Sequence, residues 1–268
     1  MLTSCLGLDQ LRGSRAKQLI PGIRTDSGGT TSDQKLINEK FKTFYSNLYS
    51  SDCTVDAAVM ETFFSNLNMP SLSQDLRHSL EAPITQREII AAITSMQSGK
   101  SPGPDGLPSD FLKKFSAELS PFLCSVFSDS FDSGKLPPSF YQACISLLLK
   151  KDKDPLDCAS YRPIPLLNTD VKILAKILAH RLDDVLPSII SPDQTGFIKG
   201  RQSFYNIRRL MNILYSPRNI ESECLASMDV EKAFDRVEWN YLFFTLEKFG
   251  LGPKIKLNYY MHALLPQY

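Results

Sequence analysis

No apolar run in this sequence reaches the roughly 20 residues needed to cross a bilayer. Met1–Arg15 lacks the apolar segment of a secretory signal. The six cysteines (Cys5, Cys53, Cys124, Cys144, Cys158 and Cys224) include no Cys-x-x-Cys pair, and none lies near a histidine at zinc-ligand spacing. They read as buried thiols in a reducing compartment. Histidine is scarce, with only the scattered His78, His180 and His262. The net charge of +1 removes any global pull on a polyanion. Internal repeats and low-complexity tracts are missing as well. These absences set the expectation of an intracellular protein, cytoplasmic or nuclear, with no membrane partner.

What is present suffices for a core. Hydrophobic residues make up 43% and charged residues 22% of 268 positions, room for one large domain or two small ones. Charge is unevenly placed. Residues 142–209 carry 11 Lys/Arg against 7 Asp/Glu, whereas residues 51–83 carry 1 against 5. Periodicity predicts helices over 34–49 and 56–67. Thr85-Gln86-Arg87-Glu88 is a capping box that opens a short helix with the stripe Ile89, Ile90, Ile93 and Met96. Ser98–Pro108 then holds three prolines and three glycines in eleven residues. Its Gly-Lys-Ser is not a phosphate-binding P-loop, because position 94 is Thr, a helix precedes it, and Pro102 blocks the helix that should follow. The stretch is either a rigid connector or a fixed loop that lays its amides and Lys100 along a phosphate chain.

Further on, Ser120-Pro121 is expected to start a helix with proline in its first turn, with Phe122, Leu123, Val126, Phe127 and Phe131 facing a core, ended by Gly134. Residues 142–149 read as a strand, 150–155 as a charged turn, and Tyr161–Leu167 as a returning strand. Pro165 puts the pairing of that second strand in doubt. Asn168-Thr169 is expected to cap a helix over 170–186, stopped by Pro187, with Lys172, Lys176 and Arg181 on its polar side. Gln194-Thr195-Gly196-Phe197-Ile198-Lys199-Gly200-Arg201 follows as a glycine-bearing turn, then an amphipathic helix over 202–215. Leu225–Val230 reads as a short buried strand ending in Asp229. After it comes the helical pattern Val237–Phe249, capped by Gly250. An acid at such a strand end either caps the helix or holds a hard cation.

The run Met228-Asp229-Val230-Glu231-Lys232-Ala233-Phe234-Asp235 resembles the first catalytic motif of reverse transcriptases, most closely those of LINE-type non-LTR retrotransposons. Lys100-Ser101-Pro102-Gly103-Pro104-Asp105-Gly106, Tyr161-Arg162-Pro163-Ile164 and Gln194–Arg201 resemble further elements of that family in the same order. The resemblance covers roughly residues 84–252. It implies an α+β fold, a partial right-hand polymerase with mostly helical fingers, a small antiparallel hairpin and the first palm strand, the thumb being absent. Residues 1–83 would form a helical extension, 84–222 the fingers and 223–268 the opening of the palm.

The resemblance also implies roles. Asp229 would be the catalytic metal ligand, with the Val230 carbonyl as a second ligand for Mg²⁺. Lys150, Arg162 and Phe234 would bind the incoming dNTP, Phe234 excluding a 2′-hydroxyl. Lys100, Gln194, Gly196, Phe197, Lys199 and Arg201 would contact an RNA template and DNA primer. Two-metal nucleotidyl transfer needs further carboxylates, yet the only adjacent Asp pair in the chain is Asp183-Asp184, inside a predicted helix. The expectation is therefore a truncated RNA-directed DNA polymerase domain that binds Mg²⁺ weakly or not at all and is inactive by itself. The alternatives are a non-catalytic RNA-binding remnant and a nonfunctional gene fragment.

Overall fold

The structure is a computed structural model and describes residues 20–51, 56–215, 226–230 and 236–255. The described residues mix helices with two small two-stranded sheets. In chain order the elements are β1 (Ile23–Arg24), β2 (Thr30–Thr31), α1 (Gln34–Tyr49), α2 (Ala57–Ser65), α3 (Gln74–Glu81), α4 (Gln86–Thr94), α5 (Ser109–Lys114), α6 (Ser116–Ser133), β3 (Ala143–Leu149), β4 (Tyr161–Leu167), α7 (Thr169–Ile189), α8 (Phe204–Leu214) and α9 (Trp239–Lys248). Compactness divides the described chain into two units by contact: residues 20–50 with 145–165, and the remainder.

In the first unit, Asp33 caps α1 by accepting from the Lys35 amide. The helix turns Ile37, Phe41 and Tyr45 inward. Phe41 meets Tyr161 of β4 edge to face at 5.2 Å, and Tyr45 donates its hydroxyl to the Tyr161 carbonyl. β1 and β2 pair antiparallel, Ile23 opposite Thr31. β3 pairs with β4, and the Lys150 amide, just past β3, donates to the Ser160 carbonyl at 2.8 Å. Pro165 therefore does not break the hairpin, and strand parity explains why. Backbone groups of alternate residues point to opposite edges of a strand. The Ser160 carbonyl faces Lys150 while the Tyr161 carbonyl faces α1, so Pro163 and Pro165 share the parity of Tyr161 and point away from β3. Neither removes a donor that the hairpin needs.

The second unit is a helical core. α4 packs on α6 and α7, and α3 also touches α7. Ile89, Ile93, Phe127, Phe140, Leu174 and Ile177 are all but fully buried there. Burial of each such side chain is worth about 1.5–3 kcal/mol. The capping box at Thr85 forms as expected, the Thr85 hydroxyl accepting from the Glu88 amide and the Glu88 carboxylate from the Thr85 amide. Gly250 closes α9 at φ +84. Its amide bonds to Glu247 and that of Leu251 to Leu246, a Schellman closure in which Leu246 and Leu251 are both buried.

Four local expectations change. Pro121 does not start α6, which begins at Ser116 and carries the proline inside. A proline deprives the carbonyl four residues back of its partner, and here the Ser120 hydroxyl supplies the Ala117 carbonyl instead, at 3.2 Å. Phe122, expected in the core, is 71% exposed. Pro187 does not stop α7, because Val185 and Ile189 on either side of it are buried and carry the helix to Ile189. Residues 226–230 form no strand and are exposed, Met228 at 91%. A lone extended segment gains little without a paired neighbour, and none is found among the described residues. Leu225 lies outside them. The amphipathic helix before this segment is present as α8, but none of its residues is buried among the described chain.

Candidate nucleic-acid interface

The Pro/Gly loop is a tightly built element. Asp110 accepts from the Gly99 amide at 2.9 Å, and this bond, with a second from Ser98, holds its carboxyl below the usual range. The Ser109 hydroxyl donates to Gln97, the Thr169 hydroxyl to the Leu107 carbonyl, and the Asp105 amide to Asn168 Oδ1. Asn168 thus makes no side-chain cap on α7. It braces the loop and, through Nδ2, the Ser139 carbonyl. Gly103 lies against it so closely that a Cβ would overlap the Asn168 main-chain nitrogen and stand 2.5 Å from the Leu167 carbonyl carbon. The rigid-connector reading of this loop is thereby accounted for, and Lys100 stands exposed on it.

On the β3–β4 hairpin, Lys150 closes the first strand. Its Nζ donates to the Ala159 carbonyl at 2.8 Å, so the ammonium is folded over the turn. Arg162 is exposed on β4.

The turn after α7 gathers Gln194, Gly196, Phe197, Lys199 and Arg201. Phe197 has φ +60 and is 93% exposed. A left-handed conformation costs a non-glycine residue about 1–2 kcal/mol, so something must hold it. Arg201 does: its guanidinium donates to the carbonyls of Pro187, Ile190, Ser191 and Gln194. It thereby also satisfies the end of α7. Gln194 donates to Gly196, and Asn206 of α8 to Thr195. Lys199 pairs with Asp184 at 2.7 Å in the open, and its hydrogen bond holds the Asp184 carboxyl low. The result is an aromatic ring displayed on a clamped turn, a geometry suited to stacking on an unpaired base.

Asp229 lies exposed in the irregular segment 226–230, with Val230 next to it. Phe234 lies outside the described residues. Among the described residues no three His, Cys, Asp or Glu side chains gather as metal ligands. Asp229 and the Val230 carbonyl would supply two of the six positions around a Mg²⁺, an ion that usually keeps several waters and takes substrate phosphates for the rest.

Sequence reasoning missed Arg181. Expected on a polar face, it has a side chain only 12% exposed and pairs with Glu88 at 2.7 Å. Its signal was weak but legible: an arginine one turn after Ile177 and next to Leu182, with an acid in the capping box to meet it.

Known proteins match the chain in the same region. The reverse transcriptase (RNA-dependent DNA polymerase) family matches residues 148–267. An uncharacterized 149 kDa protein of the Xenopus laevis transposon TX1 is 36% identical over 92% of this chain and 18% of its own length. The probable RNA-directed DNA polymerase of the Drosophila melanogaster transposon BS is 29% identical over 69% of this chain and 21% of its own length. The RNA-directed DNA polymerase of the Drosophila melanogaster mobile element jockey is 28% identical over 69% of this chain and 22% of its own length. The chain spans about a fifth of the length of these relatives. Among the described residues no helix is long and apolar enough to cross a membrane. Motif order, hairpin and matches agree, and the chain belongs to the reverse transcriptase family, as part of a reverse-transcriptase domain of the non-LTR retrotransposon type.

Proposed function

We propose that this chain supplies the fingers and the opening of the palm of a right-hand polymerase that copies RNA into DNA. The observation that carries the reading is the β3–β4 hairpin, with Lys150 just past one strand and Arg162 on the other, both residues inside the matched stretch. Lys150 and Arg162 contact the dNTP phosphates, Arg162 through its planar fork. Phe234 walls the sugar pocket. The clamped turn bearing Phe197 and Lys199, with Gln194 and Gly196, meets template and primer, and Arg201 holds that turn in shape. Asp229 is the carboxylate of this chain that serves catalysis, and Mg²⁺ is the ion the reading implies. The same reading places the protein inside the cell, in cytoplasm or nucleus.

The test is primer extension on an RNA template with Mg²⁺ and dNTPs. It is run on this chain joined to the remainder of a reverse-transcriptase domain, with Asp229→Asn alongside. Extension that the substitution abolishes supports the reading, and extension that it leaves intact refutes Asp229. The 268 residues alone are expected to extend no primer.

A further inference from the structure

We infer that Ser101 is a phosphorylation site for a proline-directed serine/threonine kinase, and that its phosphate is held by Lys172 and Lys176 of α7 together with Lys100. Ser-Pro occurs four times in the chain, at Ser101, Ser120, Ser191 and Ser216. Ser216 lies outside the described residues. Ser120 is buried, and its hydroxyl serves the Ala117 carbonyl. Ser191 is exposed, but its hydroxyl accepts from the Asp193 amide and its carbonyl is gripped by Arg201. Ser101 is exposed, and its hydroxyl has no hydrogen bond among the described residues. Pro102 after it lacks an amide hydrogen, so the serine suits an enzyme whose pocket accepts such a residue at that place.

The surroundings separate the two exposed serines further. A phosphoserine carries about −1.5 to −2 charge at neutral pH and three acceptor oxygens, so it is favoured opposite cations and disfavoured beside carboxylates. Two residues after Ser191 stands Asp193, whose carboxylate pairs with Arg209. Ser101 instead lines a cleft of about 490 Å³ with Lys100, Lys172 and Lys176, and no acidic side chain lines it. Lys172 and Lys176 stand one turn apart on α7, about 6 Å along its axis. Lys176 is steadied by donating to the Ser95 carbonyl at 3.1 Å. The Asp110 carboxylate, which could have neutralised the loop, is turned to the Gly99 amide. Three ammonium groups around one cleft repel one another, and a phosphate on Ser101 supplies the missing anion through charge-assisted hydrogen bonds. The loop is anchored on both sides of Ser101, at Gly99 by Asp110 and at Gly103 and Asp105 by Asn168. The phosphate is therefore delivered to the lysines from a fixed position.

The step is a phosphoryl transfer. Ser101 Oγ bonds to the γ-phosphorus of ATP, the bond from that phosphorus to the bridging oxygen breaks, ADP leaves, and the hydroxyl proton passes to a carboxylate of the kinase. Once made, the phosphate draws Lys100 away from its expected contact with template and primer. That consequence rests on the polymerase reading, whereas the site itself does not.

The test incubates the full 268-residue chain with ATP and a purified cyclin-dependent kinase and maps phosphate by mass spectrometry. More incorporation at Ser101 than at Ser191 is expected, and a chain left unmodified at Ser101 overturns the inference. The modified chain is then titrated by phosphorus-31 NMR. Lysines favour the dianion, so the second ionisation of the phosphoserine should lie below its ordinary value of about 6. A Lys172→Gln/Lys176→Gln chain should bring it back. An ordinary value in the wild type overturns the inference with no variant needed, and a low value that the variant leaves in place overturns the assignment to these lysines. Neither readout involves nucleic acid, so the failure of either leaves the polymerase reading standing.

Discussion

Arg181→Met removes the most heavily used side chain in the helical unit while keeping most of its volume. The guanidinium donates to both Glu88 carboxylate oxygens, at 2.7 and 3.0 Å, and to the carbonyls of Leu80, Ala82 and Pro83 at 3.0, 2.6 and 3.0 Å. It ties the end of α3 and the capping box of α4 to the middle of α7. Its loss orphans three carbonyls and leaves Glu88 without its cation. Breaking a buried pair from one side costs about 3–5 kcal/mol. Glu88 is about one third exposed, so water restores part of that, and the lower end, about 3 kcal/mol, is expected. With a urea m-value of about 2 kcal/mol/M, the midpoint falls by about 1.5 M at unchanged m. Urea unfolding followed by far-ultraviolet circular dichroism measures it. Arg181→Lys should lose most of the same stability, since one ammonium cannot span the fork. A loss below about 1 kcal/mol for Arg181→Met would place the group with ordinary surface ion pairs and refute the argument.

Three more outcomes follow. Burial pushes the Glu88 carboxyl up, but the hydrogen bonds from Arg181 and Thr85 outweigh it and leave the group below its ordinary 4.5. A depressed carboxyl stabilises the fold above its unfolded value and loses that contribution as pH falls through the folded one. The thermal midpoint should therefore drop more steeply below pH 4.5 in the wild type than in Glu88→Gln, and parallel curves would contradict this. Gly103→Ala drives a methyl group into main chain that cannot rotate away, so a loss of about 1–3 kcal/mol is expected in the same urea experiment, with Ser101→Ala as a near-neutral control. Arg201→Ala releases four carbonyls and the restraint on Phe197. Chymotrypsin should then cut at Phe197 faster than in the wild type, and equal cutting would remove Arg201 as the clamp.

Much of this architecture is legible in the residues because it is local. The apolar periodicity through Ile37, Phe41 and Tyr45 defines α1, Thr85 and Glu88 define the start of α4, and Gly250 defines the end of α9. The prolines were misread for a physical reason. A proline terminates a helix only when nothing else serves the freed carbonyl or buries the next turn, and the Ser120 hydroxyl and the burial of Ile189 are tertiary facts. Arg181 was misplaced because helical phase shows which side of α7 is polar, not which neighbour covers it. The order of motifs made the family readable, and Lys150, Arg162 and the Gln194–Arg201 turn could be located by it. Their contacts could not: Arg201 meets carbonyls that lie 7 to 14 residues away, and the Pro/Gly loop meets Asn168 and Thr169 only after it has docked. Asp229 was expected at a strand end because its flanking residues are apolar, yet a strand is a property of two segments.

The parity of Pro163 and Pro165 has a consequence for self-association. A two-stranded sheet has two bare edges, each a template for another chain. Along β4 the outward positions 163 and 165 have no amide hydrogen to offer, so an incoming strand finds gaps at consecutive outward positions and cannot zip. β3 has no such protection. Its run Ala-Cys-Ile-Ser-Leu-Leu-Leu is apolar, uncharged and free of proline, the composition of segments that stack into fibrils. The hairpin is therefore open to recruitment from one side only, and a charge placed in β3 should raise the soluble yield of this chain where the same change in β4 does not.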